Sequence, residues 1–405
     1  MRDRPLAVFA AAAALVALHA ANDAFVRPAR GTSAGDHLVP GISSLVVLAA
    51  LVALFVRARP GARAALASVL AAWSAEGVAL AVAGVQRVTG LLLLAPATLA
   101  LAALAGVLLW RSRRGGRLVL LRRAGRAVGA VALAYLVVAP VGVAILATHR
   151  PRHDVRAAEL GAPYRAVAIR TRDGLRLAAS YVPSRNGAAV VSYPTRAGKV
   201  PQARMLVRHG YGVLLLDARG YDGSEGAPNM FGWGETEDVD AAVDWLRRRP
   251  DVHDGRIGGI GFSVGGEMMI EAAARNANLK AVVSEGAGVR SVREEWLYGA
   301  RGVVSIPCSA VQTAALTALS GTPAPPALPD LVARIAPRAV FLIEAENGTG
   351  GEELNRAYFD AAQPPKELWR VAGAGHTGAY AAAPAEYERR VVEFFDHYLG
   401  ASAAL

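Results

Sequence analysis

Hydrophobic positions divide the chain into two textures. Through the first 150 residues, five apolar stretches follow one another, at 5–21, 38–56, 64–85, 90–110 and 127–148. Most approach the roughly 20 helical residues needed to cross a hydrocarbon core. From about residue 160 the pattern breaks into short β-rich runs alternating with helical segments and Gly/Pro punctuation, as in a layered α/β fold. Candidate strands are 164–170, 175–182, 188–193, 212–217, 256–261, 280–284, 338–345 and 367–371. Two of them, around Val213–Leu216 and Ala339–Ile343, are continuously apolar, which suits strands buried on both faces. Glu235–Arg249 has helical spacing, with acids early and Arg247, Arg248 and Arg249 late, as the helix dipole favours. The pattern predicts a transmembrane helical domain over 1–150 with about five spans, a linker over 151–160 and an α/β domain over 161–405.

Charge sharpens this division. The 405 residues carry a net charge of +11 and are 53% hydrophobic. Residues 1–160 hold 18 Lys/Arg against 6 Asp/Glu, whereas the remainder is nearly balanced. The basicity therefore flanks apolar runs, which excludes a nucleic-acid-binding face and suits membrane-bordering loops. Twelve arginines fall before the first segment (Arg2, Arg4), between the second and third (Arg57, Arg59, Arg63), and between the fourth and fifth (Arg111, Arg113, Arg114, Arg117, Arg122, Arg123, Arg126). Five crossings place all of these on one side, with Arg27, Arg30, Arg87, Arg150, Arg152 and Arg156 opposite. The positive-inside rule then puts the N-terminus in the cytoplasm and the α/β domain on the extracytoplasmic side of the cell membrane. The first segment follows Arg2 and Arg4 as a signal peptide would, but no small-x-small cleavage site precedes Asn22, so an uncleaved helix is expected. Glu76, midway along the third segment, is either a functional ionisable group or a protonated carboxyl bonded within the bundle. Arg87 can reach the interface. The lone Cys308 excludes an intrachain disulfide and reads as a packing residue.

The chemistry lies in Gly255–Gly266, which contains G-x-S-x-G at 261–265. It follows a predicted strand and opens a predicted helix over Glu267–Asn276, the context of a nucleophile elbow, with Ser263 at the turn. A serine hydroxyl needs a base within hydrogen-bond reach. His376 follows a strand in a Gly-rich loop and precedes a helix predicted over Glu386–Leu399; His149, His153, His209, His253 and His397 lack that setting.

At this point the chain resembles the α/β-hydrolase superfamily, in particular its dienelactone-hydrolase-like and serine-aminopeptidase-like branches. The likeness spans about 160–400 and rests on the elbow, on Leu215–Gly220 with Gly223–Gly226, and on Gly373–His376. It implies a doubly wound, mostly parallel sheet with a cap insertion, here 287–336. It implies a triad in the order Ser, acid, His. The family's usual acid position past the strand 338–345 holds Asn347–Gly348, so the acid is expected at Glu352, with Glu285 and Glu346 as alternatives. The oxyanion hole is expected to use the N–H of Val264 and, because Pro194 has none, that of Thr195. Arg196 is either a contact for an acidic substrate group or a solvated charge. Asp217 and Arg219 are expected to steady their own loop, and Glu267, one helical turn beyond Ser263, either faces the sheet or supports the site. The cap's Val303–Leu319 is expected to be a packed core helix or an amphipathic, membrane-touching one.

The expected activity is a serine hydrolase that cleaves a small-molecule or peptide ester, thioester or amide through an acyl-enzyme, with no cofactor or metal. An acyltransferase with the same triad, a catalytically silent scaffold, and a transporter or sensor centred on Glu76 are the competing readings.

Overall fold

The computed structural model describes residues 4–26, 38–82, 88–111, 116–148, 160–193, 200–221 and 223–400. The linker 151–160 therefore lies outside the described residues except for Leu160, as do Arg87, Pro194, Thr195 and Arg196. The chain forms two compact units, 1–139 and 140–405.

The first unit consists of helices: α1 (Arg4–Ala21, continued as π-helix to Val26), α2 (Leu38–Arg57), α3 (Pro60–Val82), α4 (Val88–Arg111) and α5 (Arg117–Leu133). Phe9, Phe55, Leu70 and Leu101 are fully buried in one cluster, and the Phe9 and Phe55 rings stack at 4.1 Å. Thr98 donates to Ser74 across two helices at 2.9 Å. The outside of this bundle is also apolar, with Leu92, Leu99, Val107 and Trp110 exposed. A helix apolar all round has no water-facing side. The helix backbone at Glu76 is regular, but its side chain lies outside the described residues. One expectation needs correction. Arg117, Arg122, Arg123 and Arg126 belong to α5 and not to a loop, because arginine propagates helix nearly as well as leucine. The helical path continues through a π-helical stretch, Ala134–Val138, into α6 (Ala139–Thr148). Among the described residues, four helices are long and apolar enough to cross a membrane: Arg4–Val26, Gly90–Arg111, Arg117–Thr148 and Gly302–Ser320; Ser44–Arg57 is apolar but shorter.

The second unit is built on an eight-stranded sheet: β1 (Arg165–Arg170), β2 (Arg176–Val182), β3 (Ala189–Tyr193), β4 (Gly212–Leu216), β5 (Ile257–Phe262), β6 (Leu279–Glu285), β7 (Ala339–Asn347) and β8 (Lys366–Gly375). The spatial order is β1-β2-β4-β3-β5-β6-β7-β8, with only β1/β2 and β2/β4 antiparallel. This is the expected α/β-hydrolase architecture. Alternation along the central strands fills two cores. Val191, Leu214 and Leu216 face one side, with α8 (Thr236–Leu246) and α9 (Val264–Arg275). Val190, Val213 and Leu215 face the other, with α7 (Val200–Arg208) and, late in the chain, Tyr387–Phe395. Each fully buried Val, Leu or Phe contributes about 1.5–3 kcal/mol relative to exposure.

The chain leaves β3 for β4 on one side and then returns to lay β5 on the other side of β3. That reversal opens a crevice beyond the carboxyl ends of the strands, where ligands of open α/β sheets bind. The end of β5 is Phe262, immediately before Ser263. After β6 come α10 (Val292–Glu295), a 3-10 turn (Trp296–Arg301), α11 (Gly302–Ser320) and α12 (Leu328–Val332), which together occupy the expected cap insertion. The sheet is completed with α13 (Asn355–Ala361) before β8, and α14 (Ala379–Ala382) and α15 (Pro384–Leu399) after it. Within α11 only Gly302 and Leu316 are buried, so the packed-core alternative for Val303–Leu319 does not hold. A core helix would bury a whole stripe.

Candidate active site

The helix after β5 begins at Val264, three residues earlier than the sequence pattern predicts. The cause is the sharpness of the turn. Ser263 has φ 54° and ψ −125°, a conformation that side-chain-bearing residues seldom adopt. Its N–H donates to the Glu285 carbonyl at 2.8 Å, which ties the turn to the neighbouring strand. A Cβ at residue 261 would run into the Gly265 carbonyl, so this turn requires glycine there. Among the described residues the only other non-glycine residue at positive φ is Thr377 (φ 50°), directly after His376. The two strained positions thus flank one site.

His376 joins them. Its Nε2 lies 2.9 Å from Ser263 Oγ, and its Nδ1 lies 2.8 Å from Glu352 Oε2. With Nδ1 as the donor to the carboxylate, Nε2 is the acceptor for the serine proton. The imidazole is about one-third exposed, whereas the Glu352 side chain is fully buried. Glu352 Oε1 accepts from the Ala345 N–H at 2.7 Å, so both carboxylate oxygens are engaged and their direction is set.

The three glutamates expected as candidates for the acid have different partners, and one of them, Glu352, bonds His376. Glu352 stands in a 3-10 turn after Gly348–Gly351, and its carboxylate reaches back to the end of β7. A Cβ at residue 348 would clash with that carboxylate. The carboxylate thus fills the space a side chain at 348 would take, at the usual acid slot that lacks an Asp here. Glu285 is buried elsewhere, accepting from Tyr387 Oη at 2.8 Å and from the Ala379 N–H at 3.1 Å. Glu346 accepts from the Gly373 N–H at 2.9 Å, at the start of the His376 loop. Neither reaches His376 among the hydrogen bonds of the described residues.

Val264, as the first residue of α9, has an N–H that its own helix does not use, next to the serine at a positive helix end. Its expected partner Thr195 lies outside the described residues. Just before that segment, Tyr193 donates to the buried Glu235 carboxylate at 2.6 Å and fixes the end of β3. Arg219 pairs with Asp238 at 2.5 Å and Asp173 at 2.9 Å, and the Asp217 carbonyl accepts from Ser224 at 2.8 Å, so these residues hold their loop as expected.

A buried polar network behind the site escaped sequence reasoning. Glu267 and Glu271, one turn apart on α9, face the fully buried Arg290, at 3.5 Å and 2.6 Å. Glu267 also accepts from the Gly288 N–H at 3.2 Å. Val289 N–H in turn donates to the Gly350 carbonyl, and Asn355 donates to the carbonyls of Ala287 and Glu352. The network therefore braces the loop that carries Glu352. The available signal was two acids at i and i+4 on a helix that is otherwise uncharged up to Arg275.

Burial pushes the Glu267 carboxyl up to about 7, against the pull of Arg290 and the Gly288 N–H. With its folded-state pKa above the unfolded value, its contribution to stability is full below about pH 4.5 and is lost as pH rises through 7. Glu267→Gln removes this titration. The melting temperature of wild type relative to the variant should therefore fall between about pH 4.5 and 7.5, by the equivalent of at most about 3 kcal/mol. Thermal melts of the detergent-solubilised pair across that range test this, and a flat difference would refute it.

Comparison with known proteins agrees with the fold. The sequence profile of the family described as X-Pro dipeptidyl-peptidase (S15 family) matches residues 147–384. An uncharacterised Mycobacterium tuberculosis protein is 33% identical over 144 residues, which is 33% of this chain and 50% of that protein. The alpha/beta hydrolase domain-containing protein WAV2 of Arabidopsis thaliana is 28% identical over 171 residues, 38% of this chain and 55% of that protein. The chain spans about half the length of the curated relatives it matches. Among solved structures, an esterase of Pyrococcus furiosus superposes with a TM-score of 0.52 at 22% identity, covering 62% of this chain and 98% of the esterase.

Proposed function

We infer that this chain, which belongs to the X-Pro dipeptidyl-peptidase (S15) family and has the α/β-hydrolase fold, is a membrane-anchored serine hydrolase. The observation that carries this reading is the unbroken line of hydrogen bonds from Ser263 through His376 to the buried Glu352. In the proposed reaction His376 Nε2 takes the Ser263 proton as Oγ attacks an acyl carbon. The tetrahedral oxyanion is held by the Val264 N–H, with Thr195 as the second donor. The imidazolium, stabilised by Glu352, returns the proton to the leaving alcohol, thiol or amine. Water then repeats the sequence and releases the acid. The satisfied acid argues against a catalytically silent scaffold, and no cofactor enters any step.

Anchoring is supported by the apolar exterior of the first unit. Counting α1, α2, α3, α4 and the α5–α6 path as five crossings, the arginine distribution supports a hydrolase unit outside the cytoplasm. One labelling experiment addresses both parts. A membrane-permeant fluorophosphonate should modify the protein in intact cells, with the adduct on the peptide containing Ser263. A charged, impermeant analogue should label it equally. Absence of labelling by either probe would overturn the serine mechanism, and labelling by the permeant one alone would invert the topology.

A further inference from the structure

α11 is unusual for a surface helix of a water-facing unit. Its 19 residues contain no Asp, Glu, Lys or Arg, and its mean hydropathy of 1.4 qualifies it to enter a membrane. Yet only two of its residues are buried. Val303 is 64% exposed and Val304 72%, and just ahead of the helix Trp296 is 67% exposed. An aromatic ring beside an uncharged apolar helix is the composition of a membrane–water interface.

The helix does not leave the unit. Ser305 donates to Glu295, Thr313 accepts from the Val292 N–H, Leu316 packs on Trp233, and Gly234 packs against Thr322 beyond its end. Held at points along its roughly 28 Å, it lies along the surface and does not project from it. Leu316 and Trp233 share their cluster with Ala144 and Ala147 of α6, and the Met230 N–H donates to the Ala147 carbonyl. α6 is the uncharged end of a membrane-length helix, and Val143, Ile145 and Leu146 are exposed on it. Two apolar helices of the same unit thus meet, one of them the continuation of the path proposed to cross the bilayer.

This surface adjoins the candidate site. Tyr298, between Trp296 and α11, sets its hydroxyl against Gly351, the residue before Glu352, where a Cβ would meet it at 2.9 Å. Gly232, next to Trp233, packs against Val264 beside the nucleophile. We propose that α11, with Trp296, is seated in the lipid interface, and that the site takes an acyl ester whose long chain resides in the bilayer. Such a substrate reaches Ser263 from the lipid beneath the cap without crossing water. This deepens the serine-hydrolase reading and rests on it for the substrate.

The test uses the full-length protein in phosphatidylcholine/phosphatidylglycerol vesicles. A nitroxide attached to Val304→Cys in a Cys308→Ser background should be accessible to oxygen and shielded from a water-soluble nickel chelate. Separately, Val303→Glu/Val304→Glu should lower the ratio of bilayer-dissolved long-chain ester turnover to short-chain soluble ester turnover by about tenfold. A water-exposed nitroxide, dipolar broadening from a second copy, or an unchanged ratio would overturn the proposal. Failure of wild type to turn over either ester would instead overturn the hydrolase reading, and the nitroxide would still decide where α11 sits.

Discussion

Ser263→Ala is expected to reduce turnover of a short-chain ester by about a millionfold, leaving a slow background. The size follows from what the hydroxyl does. In the proposed reaction it supplies the bond-forming atom and the proton that His376 moves, so its loss removes the acyl-enzyme path altogether. Positioning and oxyanion stabilisation remain, and in such sites they alone retain about a thousandfold over uncatalysed water attack. Fold should survive, because the strained turn is secured by the Ser263 N–H and by Gly261, neither of which the substitution touches. His376→Ala should fall to a similar rate, and the double variant no further, since two residues acting on one proton transfer do not add. Steady-state kinetics on the purified proteins check this. A Ser263→Ala enzyme within about tenfold of wild type would mean that chemistry occurs elsewhere.

The elbow was legible in the sequence because its requirements are local. A strand, a serine between glycines and a helix follow one another without a break over Ile257–Arg275, and the turn admits few alternatives. The continuous apolar runs at β4 and β7 likewise identified central strands. What the sequence withheld was set by tertiary contact. The start of α9 at Val264, and not at Glu267, depends on a bond from Ser263 to β6. Arg290 is a charged residue with no local signature, and its burial against Glu267 and Glu271 exists only once the cap entry folds over α9. The cap helix shows the opposite limit. Its apolar composition was visible, but composition cannot distinguish a buried helix from one that buries only two positions.

The acid is where local reading and tertiary structure part most clearly, and the second large effect tests it. Glu352→Gln should lower kcat by about ten-thousandfold with little change in KM. The amide keeps the shape, but its carbonyl and NH2 must divide between the Ala345 N–H and His376 Nδ1, both donors in the competent arrangement. If the carbonyl serves Ala345, the NH2 faces Nδ1 and favours the tautomer whose proton is on Nε2. His376 then cannot accept from Ser263, and the imidazolium formed in the transition state loses its counter-charge. Glu285→Gln predicts a different outcome. That carboxylate bonds Tyr387 and Ala379, so an amide there costs packing and thermal stability while kcat per folded molecule stays within about tenfold. Measuring kcat alongside active-site titration separates the two. A collapse of kcat in Glu285→Gln with Glu352→Gln spared would reassign the acid to β6. It would also leave the Glu352 carboxylate, fully buried between a backbone N–H and the histidine, without a chemical reason to be there.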